Sequence, residues 1–237
     1  MSAIVLIHGA WHGAWCWYKV VPRLEKAGQR VIAPDLPSLG KDKTPLTEVT
    51  LELWVERICR ILDAEAEPVI LVGHSRGGIV LSQVAERRPD KIKTLVYLTA
   101  FLVPSGQSLL DIAGADTTSV VTANLDIAPD QRSFAVRQDA IRDAFYSECS
   151  DEDFALAQSL LLPEAAAPSA TALQLTGDNF GHVSRVYIEC LRDRAITPAV
   201  QKKMYTMLPC RKVISMDTDH SPFFSRPDEL VNHLLAL

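Results

Sequence analysis

Val69-Ile70-Leu71-Val72-Gly73-His74-Ser75-Arg76-Gly77-Gly78 decides how this chain folds. The four apolar residues at its start predict a short strand buried on both faces. Gly-x-Ser-x-Gly follows at once, and a helical pattern over about 75–87 follows that. A serine between a buried strand and a helix sits on a sharp, strained turn with its hydroxyl clear of the sheet. Side chains two residues before and after it would strike the neighbouring strand and helix, so glycine stands at 73 and 77. The helix start also points its positive end at any oxyanion formed beside Ser75. Ser75 is therefore the candidate nucleophile.

The same strand–helix rhythm extends outward in both directions. Residues 3–7 form a continuous apolar run, another buried strand. Val20, Val21, Leu24 and Ala27 recur at helical spacing, with Gly28 placed to cap the end. A short strand over 30–33 stops at Pro34, and Leu51, Trp54, Val55, Ile58, Ile61 and Leu62 mark an amphipathic helix. Residues 94–98 give a fourth strand. From 103 to 182 the rhythm breaks: strand candidates are scarce and helical fragments dominate, over 135–146 and over 151–162. The second fragment opens with Ser150 as N-cap and Asp153 as a capping-box-like acid. The rhythm resumes with a strand over 185–189, a helix over 197–207, a strand over 212–216 and a terminal helix from about 227. Such alternation predicts an α/β fold with a mostly parallel sheet of about six strands, covered by helices on both faces. Residues 1–102 and 183–237 form that core, and 103–182 read as an inserted helical cap, the whole making a single domain. Ligands in such sheets bind outside the carboxyl ends of the strands.

A serine hydroxyl needs a base. Of the six histidines, His220 follows the strand over 212–216 by the short loop Asp217-Thr218-Asp219, at the correct end of the sheet. His182 precedes a strand and lies at the wrong end; His233 falls within the terminal helix. Asp193 follows the strand over 185–189 and is the preferred acid to orient the imidazole. Asp217 and Asp219 are nearer His220 in sequence, but adjacent positions rarely bring a carboxylate to the ring's Nδ1. An oxyanion hole needs two backbone N–H groups. Arg76, following the serine, supplies one, and Ala10 in the loop His8-Gly9-Ala10-Trp11-His12-Gly13 is the natural source of the other. The sequence assigns the Arg76 side chain no role; a solvated surface arginine is the default reading. Trp11, Trp15, Trp17 and Tyr18 are expected to pack around that loop.

Composition closes off other classes. The 237 residues are 48% hydrophobic and 22% charged, which excludes a disordered chain. Lys and Arg total 24 against 29 Asp and Glu, and a net charge of −5 is a poor match for nucleic acid. No apolar run approaches the ~18 residues that span a bilayer. The first residues lack the basic region of a signal peptide. Five irregularly spaced cysteines, with no secretion signal, read as reduced thiols of a cytoplasmic protein. Neither Cys-x-x-Cys nor His-Glu-x-x-His occurs, so no metal or other cofactor is expected. The expected partner is a small molecule, not nucleic acid or a membrane, with a homodimer left open.

The chain resembles the α/β-hydrolase superfamily, and within it the plant group of methyl esterases and hydroxynitrile lyases, the salicylate-binding methyl esterases most of all. The resemblance runs nearly end to end. It rests on residues 8–19 (HGAWHGAWCWYK), on Ala33-Pro34-Asp35-Leu36, on Gly73-His74-Ser75-Arg76-Gly77-Gly78, on Cys149-Ser150-Asp151-Glu152-Asp153, on Arg185-Val186-Tyr187-Ile188-Glu189-Cys190 and on Asp219-His220. It implies an α/β-hydrolase fold, a triad of Ser75, Asp193 and His220, and oxyanion donors at Ala10 and Arg76. Where lyases of the group carry threonine or asparagine this chain has Gly9, and where many carry lysine it has Ser221. Those replacements lack the donors that cyanohydrin cleavage uses, so the resemblance favours carboxylic ester hydrolysis over the lyase alternative. Arg76 replaces the leucine usual in the plant esterases and matches bacterial relatives. A ligand receptor that keeps the hydrolase fold is the remaining alternative, disfavoured by the intact Ser75, Asp193 and His220.

Overall fold

Six parallel strands, in the spatial order Val31–Ile32, Ile4–Ile7, Val69–His74, Ile92–Leu98, Arg185–Cys190 and Lys212–Met216, form the central sheet of the computed structural model, which describes residues 2–237. In chain order the first half comprises β1 (Ile4–Ile7), α1 (Val20–Lys26), β2 (Val31–Ile32), α2 (Leu51–Asp63), β3 (Val69–His74), α3 (Gly77–Arg87) and β4 (Ile92–Leu98). The last part comprises β8 (Arg185–Cys190), α9 (Pro198–Met207), β9 (Lys212–Met216), α10 (Pro222–Ser225) and α11 (Pro227–Leu235).

The side-chain alternation of the strands explains the two layers of helices. On β1, Val5 and Ile7 enter the apolar cluster shared with Trp54, Val55 and Ile58 of α2 and with Ile79, Val80 and Val84 of α3. Ile4 and Leu6 enter the opposite cluster, with Val20 and Leu24 of α1 and Leu230, Val231 and Leu234 of α11. A strand buried on both faces has no polar alternation, which is why β1 and β3 read as unbroken apolar runs. Helix ends follow local chemistry. The Thr50 hydroxyl accepts from Leu53 N at the start of α2, and Gly28, just past α1, adopts φ of 83°.

Residues between β4 and β8 depart from the helical expectation. They hold α4 (Leu109–Ala113), α5 (Val120–Ala123), β5 (Leu125–Ile127), β6 (Ser133–Val136), α6 (Ile141–Phe145), α7 (Asp151–Leu160), β7 (Glu164–Ala165) and α8 (Ala166–Ala170). The strands β5-β6-β7 form a small antiparallel sheet. The stretch read as one helix over 135–146 is thus the end of a strand followed by a five-residue helix. Tertiary contacts override local propensity here: Phe134 stacks edge-on against Trp11, and its carbonyl accepts from Trp11 Nε1 at 2.9 Å. Ser150 caps α7 as expected, its hydroxyl accepting from Asp153 N.

Candidate active site

Strand β3 delivers the chain into Ser75 at φ 54°. Left-handed backbone at a non-glycine residue costs on the order of 1–3 kcal/mol and persists only where its surroundings hold it. Here Ser75 N donates to Leu98 O at 3.2 Å and Ser75 O accepts from Phe101 N at 3.0 Å. The glycines around it are closely approached; a Cβ on Gly77 would lie 3.2 Å from the His8 and Ile7 carbonyl oxygens. A Cβ on Gly73 would lie 2.2 Å from Leu81 Cδ1, and one on Gly78 would lie 2.3 Å from the Phe101 carbonyl oxygen. The serine itself is nearly buried and opens onto a cavity.

His220 lies beyond the end of β9 and is buried, with its Nδ1 2.6 Å from Asp193 Oδ2. The carboxylate defines the tautomer: Nδ1 carries the proton and donates it. Asp193, in the loop after β8, is itself tightly held. Its Oδ1 accepts from Ala195 N at 2.7 Å and Ile196 N at 2.9 Å. Its Oδ2 also accepts from the Thr99 hydroxyl and from Gln201 Nε2. The two rival acids are engaged elsewhere. Asp217 is exposed and pairs with Arg192 at 3.0 Å. Asp219 is buried, but its oxygens accept from Glu148 N, Ser221 N and the Ser225 hydroxyl. His74 Nε2 donates to the His220 carbonyl at 2.9 Å, which ties the residue before Ser75 to the His220 loop. His182 is exposed ahead of β8, and His233 lies on α11, 3.7 Å from Glu229.

The Arg76 side chain departs from the solvated default. It is 2% exposed, pairs with Glu164 of β7 at 2.9 Å, and lies 4.0 Å over the Trp54 ring. An arginine directly behind the turn has no route to solvent, so it takes a buried carboxylate and an aromatic face instead. The aromatic cluster divides. Trp17 and Trp15 pack against Phe223 and Phe224, as expected for packing residues. Trp11, at φ 62°, instead lines the cavity beside Ser75. That cavity encloses about 520 Å³ between atoms, its mouth included. Ala10, Phe101, Leu109, Leu125, Phe134 and Phe145 give it an apolar wall, and Ser75 is among its lining residues. Among the described residues no group of three or more His, Cys, Asp or Glu side chains is arranged to hold a metal ion. No helix among them is long and apolar enough to cross a membrane.

A sequence model of the alpha/beta hydrolase family matches residues 4–233. The chain belongs to that family. Methylesterase 1 of Arabidopsis thaliana is 34% identical over 248 residues, covering 98% of this chain and 94% of the relative. Among solved structures, polyneuridine aldehyde esterase superposes with a TM-score of 0.89 at 28% identity, covering 100% of this chain and 98% of that one. A pyrethroid hydrolase from Sphingobium faniae JZ-2 superposes with a TM-score of 0.90 at 30% identity, covering 99% and 96%. The family is one of hydrolases, and these relatives are named as esterases and a hydrolase.

Three further residues of this alpha/beta hydrolase escape a reading of the sequence. Thr99 and Gln201 hold Asp193, and Glu164 holds Arg76. Thr99, just past the end of β4, carried the one available signal, a polar residue at a strand's carboxyl end. Glu164 carried none.

Three neutral histidines also surround the turn. His8 Nδ1 donates to Gly9 O while its Nε2 accepts from Leu36 N. His12 Nδ1 donates to Ala10 O while its Nε2 accepts from the Tyr146 hydroxyl. Burial pushes His8 and His74 well below the usual histidine range and His12 down to about 3. Between pH 6.5 and about 3 the unfolded chain therefore binds protons that the folded chain refuses, and stability falls as pH falls through that window. The urea midpoint at pH 4 should lie well below that at pH 7, with His12 alone contributing on the order of a few kcal/mol. Equal midpoints at the two pH values would contradict this.

Proposed function

We propose that this alpha/beta hydrolase is a serine carboxylesterase for small or aromatic neutral esters. The observation that carries the reading is the buried His220–Asp193 pair at 2.6 Å, in a loop that His74, the residue before the strained Ser75, bonds through the His220 carbonyl at 2.9 Å. Ser75 Oγ attacks the ester carbonyl carbon as His220 Nε2 takes its proton. The resulting oxyanion is stabilised by the N–H groups of Ala10 and Arg76. Collapse of the tetrahedral intermediate expels the alcohol, which receives the proton from His220 and leaves Ser75 acylated. Water, deprotonated by His220, then attacks the acyl carbon; the acid departs and Ser75 Oγ regains its proton. Asp193 accepts from Nδ1–H throughout and stabilises the imidazolium.

Cyanohydrin cleavage fits less well. Gly9 offers no side-chain donor, and a Cβ there would lie 2.7 Å from His74 Nδ1.

The cavity supports the choice of neutral esters. Its wall is apolar, and its one charged lining residue, Arg76, is occupied by Glu164. A carboxylate on the substrate would enter without a partner, at a cost of several kcal/mol. Across a panel of esters, phenyl acetate and methyl benzoate should be turned over with kcat/KM at least tenfold above that for monomethyl succinate. A preference for the anionic ester would overturn this assignment.

A further inference from the structure

The loop that carries the Ala10 N–H is fixed through its carbonyls. Arg76 Nη2 donates to the Gly9 carbonyl at 3.0 Å, and His8 Nδ1 donates to the same oxygen at 2.9 Å. The Gly9 C=O and the Ala10 N–H belong to one planar trans peptide and point in opposite directions. Whatever holds the Gly9 oxygen therefore aims the Ala10 N–H. The next peptide is held as well: the Ala10 carbonyl accepts from His12 Nδ1 at 2.6 Å, and Trp11 N donates to Glu164 Oε2 at 3.2 Å. Glu164 Oε2 also accepts from Arg76 Nε and Nη2. One carboxylate oxygen thus gathers the Arg76 guanidinium and the loop backbone.

We infer that the Arg76–Glu164 pair is a positioning device that aims the Ala10 N–H at the oxyanion, so that Arg76 supplies one oxyanion donor with its backbone and orients the other with its side chain. The inference rests on the esterase reading of Ser75. Its cost supports a role beyond filling space. Both side chains are fully buried, Arg76 Nη1 and Glu164 Oε1 have no partner among the described residues, and apolar side chains of similar size commonly stabilise such a site better.

The pair variant Arg76→Met/Glu164→Leu removes both charges together and leaves no buried ion unpaired. With p-nitrophenyl acetate its kcat should fall between about ten- and a hundredfold, below the ~10²–10³-fold seen for outright loss of an oxyanion donor. KM should stay within twofold. Affinity for phenyl trifluoromethyl ketone, whose adduct with a serine hydroxyl is a tetrahedral oxyanion, should fall by the same factor as kcat. Arg76→Lys keeps the charge opposite Glu164 but lacks the planar fork that reaches Glu164 and Gly9 together, and should lose activity in the same pattern. A folded variant of either kind with wild-type kcat, or a loss confined to KM, would overturn the inference. So would failure of both variants to fold, which would assign the pair to stability alone. Ser75→Ala, measured alongside, separates the two levels. Wild-type activity there would defeat the esterase reading itself, whereas inactivity there with normal pair variants would defeat only the positioning role.

Discussion

Asp193→Asn should lower kcat on p-nitrophenyl acetate by about 10⁴-fold, the magnitude that the wrong imidazole tautomer costs a serine hydrolase. An asparagine amide presents N–H to Nδ1 or withdraws its acceptor, and either change favours the proton on Nε2, where it blocks uptake of the Ser75 proton. The fold should tolerate the change, because an amide oxygen can still accept from Ala195 N and Ile196 N. Asp219→Asn should have a far smaller effect, because Asp219 fastens the loop to Glu148 N and Ser225 and makes no bond to the His220 ring. A larger loss in Asp219→Asn than in Asp193→Asn would transfer the orienting role.

Ser75→Ala should cost more still, about 10⁶-fold in kcat, as removal of the nucleophile leaves only binding and the oxyanion donors. Alanine at 75 retains the left-handed φ, which is unfavourable for any side chain, so stability should change little. Affinity for a non-reactive substrate analogue should be unchanged, which distinguishes lost chemistry from a damaged cavity.

The sheet was legible in the sequence because its central strands are buried on both faces and its helices carry one apolar stripe each. Ile4–Ile7, Val69–His74 and Leu51–Asp63 stand out for that reason. The turn at Ser75 was equally legible in its Gly-x-Ser-x-Gly pattern, where a Cβ on Gly73 would lie 2.2 Å from Leu81 Cδ1 and one on Gly77 3.2 Å from the His8 carbonyl oxygen. Asp193 was preferred over Asp217 and Asp219 from its place after a strand; its Oδ2 lies 2.6 Å from His220 Nδ1.

Residues 103–182 were less legible for a physical reason. Strand β7 has only two residues, and β6 is held by its pairing and by Trp11, more than a hundred residues away in the chain. Short segments carry too little periodicity to outweigh helical propensity in stretches such as Ala135 to Tyr146. The Arg76–Glu164 pair spans 88 positions, and no local pattern marks either residue as buried. An arginine inside a strand–turn–helix motif reads as surface until a carboxylate is found beneath it.

The most direct test of the central claim is intact-mass measurement of the protein quenched in acid during turnover of p-nitrophenyl acetate. The account predicts a species 42 Da heavier, the mass of one acetyl group replacing a hydrogen, which peptide mapping assigns to Ser75 and which is absent from Ser75→Ala. Turnover at the wild-type rate by Ser75→Ala, or an acetyl group mapped to another residue in the productive intermediate, would contradict it.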